Sequence, residues 1–394
     1  MRERIDEFRR QLQRAAADRT FELPNGTAIV SNSVPDVYDA NYLSVESPAV
    51  DAGDLAADAE TALETSHHCR VIVENGAAGL AEDFGQLGFD RATHLVLAHT
   101  DDLDRRVDTS AIREVRLEEL TTLRAETILR EPWGDADIAT QLNDAKRLVA
   151  AAVPTRFFGA AVDGATAGWC ELRQQDGVAQ IEDVEVLETY RGRGLGRALV
   201  QHALDEGLRA GALVYLEALA DDWPRELYAK LGFTVVGHRD VYTRLPGPLT
   251  RLRLRTPRLE LRLANRAEAR QLFRVAEAGI HRPDVMPFEI PWTDHLDEAD
   301  FVAHVTGSTP DAIRFTAFLD GAPIGVQGLD VSPESVSTGS WLGAAYQGRG
   351  LGTEMRASAL TYAFEHRGAT VARSGAIQGN PQVPVSVDGV RPLA

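Results

Sequence analysis

A pentapeptide, Gly-Arg-Gly-Leu-Gly, occurs twice in this 394-residue chain, at residues 192–196 and 348–352, an offset of 156 positions from Gly194 to Gly350. A second repeat ends in Leu-Gly-Phe. It closes the stretch Glu226-Leu227-Tyr228-Ala229-Lys230-Leu231-Gly232-Phe233 and the similar Glu82-Asp83-Phe84-Gly85-Gln86-Leu87-Gly88-Phe89, 144 positions earlier (Phe233 to Phe89). Self-similarity at fixed offsets says that the fold is assembled from copies of one unit. The centre holds both the glycine loop and the Leu-Gly-Phe tail, the first third only the tail and the last third only the loop. A polar stretch, His99–Arg106, and a proline-glycine break, Leu245-Pro246-Gly247-Pro248-Leu249, separate them. Three segments are therefore expected. Residues 1–105 form a degenerate copy without the loop, 106–247 a complete copy, and 251–394 a copy with the loop but an incomplete C-terminal end.

Within the centre, Ala111–Leu117 reads as a strand and Leu120–Leu129 has helical spacing. Arg156–Val162 and Thr166–Arg173 read as a hairpin turning at Asp163-Gly164. Ala179–Leu187 is a strand, Leu195–Ala210 a helix, Ala212–Ala218 a strand, Pro224–Leu231 a short helix and Thr234–Leu245 a last strand. Glu131-Pro132-Trp133-Gly134 connects the first helices. This pattern predicts an α/β fold: a mixed, mostly antiparallel central sheet with helices on both faces, repeated in tandem with incomplete copies.

The glycine loop follows the apolar strand Ile181-Glu182-Asp183-Val184-Glu185-Val186 and opens a helix at Leu195. Such a strand–loop–helix unit makes an anion site from unpaired backbone N–H groups and the helix dipole. Gly192, Gly194 and Gly196 let the backbone approach a diphosphate closely, and Arg191 and Arg193 add charge at the mouth. A P-loop would need GxxxxGK[ST], which is absent. A dinucleotide fingerprint would need GxGxxG, and here the third glycine comes one residue early.

These residues resemble the GCN5-related N-acetyltransferases. Arg191-Gly192-Arg193-Gly194-Leu195-Gly196 matches that family's [RQ]-x-x-G-x-G signature, and Glu226–Phe233 is similar to its closing motif. The likeness covers about residues 110–245. The segment from Arg255-Thr256-Pro257-Arg258-Leu259-Glu260-Leu261-Arg262 resembles the branch that acetylates ribosomal-protein N-termini. The resemblance implies acetyl-CoA as acyl donor and no metal. It places the diphosphate on residues 191–196 and the pantetheine arm along Val184 and Val186. In the last segment it assigns Gln347, Gly348, Arg349, Gly350, Leu351 and Gly352 to the same task. The implied activity moves an acetyl or other short acyl group from acyl-CoA to a primary amine, by direct attack in a ternary complex. A non-catalytic acyl-CoA-binding or sensing module is the alternative.

An alkylamine near pKa ~10 must lose a proton before it attacks, and a carboxylate can take it. Glu182 and Asp183 are the candidates, with Glu217 on the next strand a third. Strict alternation would put Glu182 with Val184 and Val186 on one face and Asp183 with Ile181 on the other. Glu182 is favoured. The resemblance makes Tyr228 the proton donor to the departing thiolate; the first segment has Phe84 there. Glu131 and Trp133, and the loop Met286–Trp292, are acceptor-contact candidates because that connection overlies the acceptor site in the family.

The formal net charge of −18 and the absence of a basic patch exclude phosphate-driven nucleic-acid binding, and favour cationic partners. The acceptor is read as a small-molecule amine or a protein N-terminus; a homo-oligomer is compatible with the sequence. No apolar run approaches ~20 residues, so no membrane span is expected. The charged N-terminus reads as an amphipathic helix rather than a secretory signal. Two cysteines far apart, Cys69 and Cys170, fit a reducing, cytoplasmic setting. His67-His68-Cys69 lacks a fourth ligand spaced for zinc and is read as structural.

Overall fold

The computed structural model describes residues 1–374 apart from 47–50, 75, 77–78, 223, 246, 283–285, 289–290 and 334. The chain divides into two compact units, Met1–Leu245 and Pro246–Ala394.

The first unit begins with α1 (Arg2–Ala16), β1 (Arg19–Leu23), β2 (Gly26–Val30), β3 (Tyr42–Val45), α2 (Ala52–Ala62), β4 (Cys69–Glu74), α3 (Leu80–Gln86) and β5 (Asp90–His99). It continues with β6 (Ile112–Val115), α4 (Leu117–Arg130), α5 (Ala136–Ala152), β7 (Thr155–Val162), β8 (Ala165–Gln175) and β9 (Val178–Val186). It ends with α6 (Leu195–Arg209), β10 (Leu213–Leu219), α7 (Pro224–Lys230) and β11 (Phe233–Arg244). Among the described residues these strands form one eleven-stranded sheet, in the order β1-β2-β3-β4-β11-β5-β10-β9-β8-β7-β6.

Residues on both sides of the polar stretch at 99–106 thus share a sheet, and they do so by exchange. β5, which follows the first Leu-Gly-Phe, lies against β10; β11, which follows the second, lies against β4. The registers are related by the sequence repeat. Tyr215 faces Ala98, and the positions 144 away, Val71 and Tyr242, face each other. β5 and β11 pair antiparallel between them. The parallel pair β3/β4 matches β9/β10, but its connection spans 28 positions from Leu43 to Val71, against 35 from Gln180 to Tyr215. The stretch before the helix is the shorter by six, 9 positions from Leu43 to Ala52 against 15 from Gln180 to Leu195, and α2 is shorter than α6.

Alternation along the strands covers both faces. Ala198, Leu199, Ala203 and Leu204 of α6 pack on Cys170, Leu172, Ile181, Val214 and Leu216. On the opposite face, Ile5, Phe8 and Leu12 of α1 pack on Val96, Ala98, Val178 and Tyr215. Each such fully buried aliphatic side chain contributes about 1.5–3 kcal/mol.

The second unit comprises β12 (Leu254–Arg255), β13 (Leu259–Arg262), α8 (Arg266–Glu277), α9 (Glu298–Thr306), β14 (Ala312–Leu319), β15 (Ala322–Val331), β16 (Ser335–Leu342), α10 (Leu351–His366) and β17 (Val371–Ser374). Its described sheet runs β12 to β17 in order, with β16 and β17 parallel. The tail expected to lack the Leu-Gly-Phe strand, residues 375–394, lies outside the described residues.

Candidate active site

The glycine loop is a turn whose backbone only glycine adopts easily. Gly192 and Gly194 have φ of 76° and 79°, and Gly194 is the left-handed N-cap of α6. No side chain caps the helix, and the ladder begins with Ala198 N–H donating to Gly194 O at 3.1 Å. The amides of Leu195, Gly196 and Arg197 therefore open towards the loop. Arg191 folds back, its Nε donating to Val186 O at 2.9 Å, while Arg193 stacks over Tyr190 at 5.3 Å.

The second unit repeats this geometry. Gly348 and Gly350 have φ of 70° and 76°, and Gly350 is again the left-handed N-cap, here of α10. Gln347, in the place of Arg191, donates to Leu342 O at 2.8 Å, the counterpart of Val186. Arg349 offers its carbonyl to Arg258 Nη1 at 3.0 Å, and Leu351 and Gly352 begin the helix.

In the first unit β9 and β10 part company beyond the pair Ile181–Leu216. The strand edge at 182–186 is consequently unpaired on that side, a slot for an extended amide-bearing arm. Strict alternation fails here. A bulge shifts the β8/β9 register between Trp169 and Glu171, and Asp183 sits at φ 55°. One inserted residue reverses which side chains face which way. Val184 and Val186 accordingly pack with the α6-side core rather than sharing a face with Glu182. Asp183 is not on the Ile181 face but meets α4 and α5. It accepts from Arg124 and from Trp169 Nε1 (3.2 Å), with Lys146 Nζ at 3.6 Å.

Glu182 lines a cavity of about 480 Å³ that also reaches Val184, Glu217 and Tyr228. Its Oε2 accepts from Gln180 Nε2 at 2.8 Å. Burial pushes its carboxyl up to about 7, against the pull of Arg173 and Lys146. Its cross-strand neighbour Glu171 behaves oppositely. Burial would raise it, but Arg173 and Lys146 (2.8 Å) overcome that and hold it near 2. Glu217 is likewise lowered, burial being overcome by Arg239 and Arg9 (3.2 Å). Tyr228, on α7, is 9 % exposed, and burial first, then Glu182, raises its hydroxyl to about 12. Glu182 thus combines access to the cavity with a value near neutrality.

The segment without the loop contributes to the lining: Ile29, Ser31, Val37, Asp39, Tyr42 and His94 line the same cavity, as does Arg9 of α1. No motif marked these residues in the sequence. Glu131 and Trp133 sit exposed in the α4–α5 connection and do not line it. Of the Met286–Trp292 loop, residues 289–290 lie outside the described residues; Phe288 packs on Trp292, which in turn packs against Phe301 and Trp341. At the positions 156 beyond Glu182 and Asp183, the second unit has Thr338 and Gly339, and no register shift is recorded between β15 and β16.

Cys170 is fully buried, and burial pushes its thiol up; its Sγ donates to Leu199 O at 3.7 Å. Neither cysteine is in a disulfide. His67 Nδ1 lies 2.8 Å from Asp36, and His68 Nε2 3.0 Å from Asn41 O, so both serve local structure. Among the described residues no helix is long and apolar enough to cross a membrane.

Residues 115–233 match the model of the acetyltransferase (GNAT) family, and residues 258–383 that of an acetyltransferase (GNAT) domain. The N-alpha-acetyltransferase RimI of Mycobacterium tuberculosis is 30% identical over 122 residues, which are 30% of this chain and 71% of that protein. A functionally unknown conserved protein of Staphylococcus epidermidis superposes with a TM-score of 0.48 at 17% identity, over 59% of this chain and 96% of that one. A GCN5-related N-acetyltransferase of Kribbella flavida gives 0.41 at 18% identity, over 62% and 95%. With two family domains in sequence and a curated relative matched over most of its length, this chain belongs to the GNAT acetyltransferase family, as a tandem member.

Proposed function

We propose that the first unit is an N-acyltransferase carrying an acetyl group from acetyl-CoA to a primary amine by direct attack in a ternary complex. The observation that carries this is one cavity joining Glu182, the carboxyl raised to about 7, to the protonated Tyr228 hydroxyl, where β9 and β10 separate. The amides opening α6 fit a diphosphate, with Arg191, Gly192, Arg193, Gly194, Leu195 and Gly196 around it, and the free edge at Val184–Val186 fits the pantetheine amides. Glu182 takes a proton from the acceptor ammonium. The amine nitrogen then bonds to the thioester carbon as the C–S bond breaks; Tyr228 gives its proton to the leaving thiolate and regains one from the second proton that the acylated nitrogen sheds to become the amide. Asp183 and Glu217 hold their neighbouring cations rather than act as base.

The same reading divides the chain into a loopless GNAT-like copy at 1–105, a complete domain at 106–247 and a second domain at 251–394. The last binds CoA through Gln347–Gly352 without efficient turnover, because it has Thr338 and Gly339 in place of the carboxylates. Two buried cysteines outside disulfides support a cytoplasmic setting. The test is amine-dependent thiol release from acetyl-CoA by the whole chain. Calorimetric binding of acetyl-CoA without release under any amine would leave the binding-module alternative.

A further inference from the structure

The cavity wall is charged, and its charges are not equally available. Its cations, Arg9, Arg124, Lys146, Arg173 and Arg239, are all withdrawn, their side chains between 7 % and 16 % exposed, and each is paired with a carboxylate. His94 adds no positive charge at neutral pH, because burial lowers its pKa. Asp39 differs from all of these. It stands in a short turn of the loopless copy and lines the cavity with its side chain 84 % exposed. Arg70 Nη2 donates to its Oδ1 at 2.8 Å, and no partner is recorded for Oδ2 among the described residues. Arg70, Arg239, His94 and Lys146, from four different elements, face it, and Arg70 above all lowers its pKa, so it is ionised at neutral pH. The other well-exposed charge on the wall, Asp222 near Tyr228, is also negative.

We infer that Asp39 is an acceptor-recognition residue supplied by the loopless copy, and that the acceptor is a small amine carrying a second cationic centre. This rests on the transferase reading and deepens it. One nitrogen is presented to Glu182 and Tyr228, while the second, an ammonium or guanidinium, pairs with the accessible carboxylate of Asp39. A mono-anionic acceptor finds no accessible cation on this wall, and a neutral tail gains nothing from Asp39. The repeat that lost its cofactor loop has kept a task, the choice of substrate.

The experiment compares straight-chain α,ω-diamines of three to six carbons with monoamines of matched length, in the whole chain and in Asp39→Asn. Thiol release gives KM and kcat, and calorimetry of hexane-1,6-diamine into the CoA-saturated protein gives binding without turnover. In the wild type kcat/KM favours diamines. Asp39→Asn lowers that preference roughly two- to fivefold, the size of one exposed ion pair, through KM and not kcat. Its affinity for acetyl-CoA is unchanged. An unchanged preference, or an equal loss for both amine series, overturns the inference. Should no amine release thiol while acetyl-CoA binds, the transferase reading fails. The diamine calorimetry then still decides for Asp39: weaker binding in Asp39→Asn upholds it as a cation site, and equal binding overturns it.

Discussion

Glu171 and Glu182 stand directly opposite one another on adjacent strands, yet one is held near 2 and the other raised to about 7. Arg173 and Lys146 are the cause of the split. Both cations pair with Glu171, which leaves burial to dominate at Glu182. The proposed base is thus tuned through the cations that its neighbouring carboxylate engages.

The pH dependence of kcat/KM follows. The base works only when ionised, so activity should rise with pH through about 7 and fall below it. Glu182→Gln should lower kcat by about 10²–10⁴-fold and remove this limb. Stability should move the other way. A carboxyl raised above its ordinary 4.5 in the fold contributes stability in full below 4.5, and that contribution is lost as pH rises through about 7. Glu182→Gln should therefore be more stable than the wild type above pH 7, by about 1–3 kcal/mol, with little gain at pH 4, as read by denaturant unfolding.

Tyr228→Phe should lower kcat about 10²-fold with acetyl-CoA affinity and melting temperature nearly unchanged, since the ring packs among apolar neighbours and only the hydroxyl is lost. Unchanged turnover would exclude the hydroxyl as proton donor.

Asp183 should reveal itself as structural. Its φ of 55° is one that Asn tolerates and Ala does not, and it neutralises Arg124 and Lys146. Asp183→Asn should keep the bulge while weakening the ion network. Asp183→Ala should cost about 1–2 kcal/mol more, from backbone strain. Melting temperatures of the pair check this, with kcat following stability in both.

Much of this site was legible in the sequence. The glycine loop, the strand before it and the helix after it stand where their spacing predicts, because turn chemistry and alternation are local. What escaped is non-local. Exchange of β5 and β11 leaves each strand's pattern untouched, so two Leu-Gly-Phe tails that look alike give no hint of which sheet edge each joins. The bulge at Asp183 defeated strict alternation; the one available hint was an aspartate, which tolerates a left-handed backbone, beside Glu182. Helix α5, which delivers Lys146, was implied by the Glu131–Gly134 connection but not bounded. Asp39 belongs to no motif and owes its position to the packing of one copy against the other.

The second unit should bind without turning over. Its loop keeps the geometry of the first, so calorimetry should find two acetyl-CoA sites per chain, one lost in Gly350→Val. A single site unaffected by Gly350→Val would count against a cofactor role for residues 347–352.

Amine-dependent thiol release in Gly194→Val against Gly350→Val tests the central claim most directly. Both substitutions force a β-branched residue into a left-handed N-cap, so each disables one loop while the other stays intact. Release should vanish in Gly194→Val and persist in Gly350→Val. Persistence in Gly194→Val, with the protein folded, would contradict the assignment of the chemistry to the first unit.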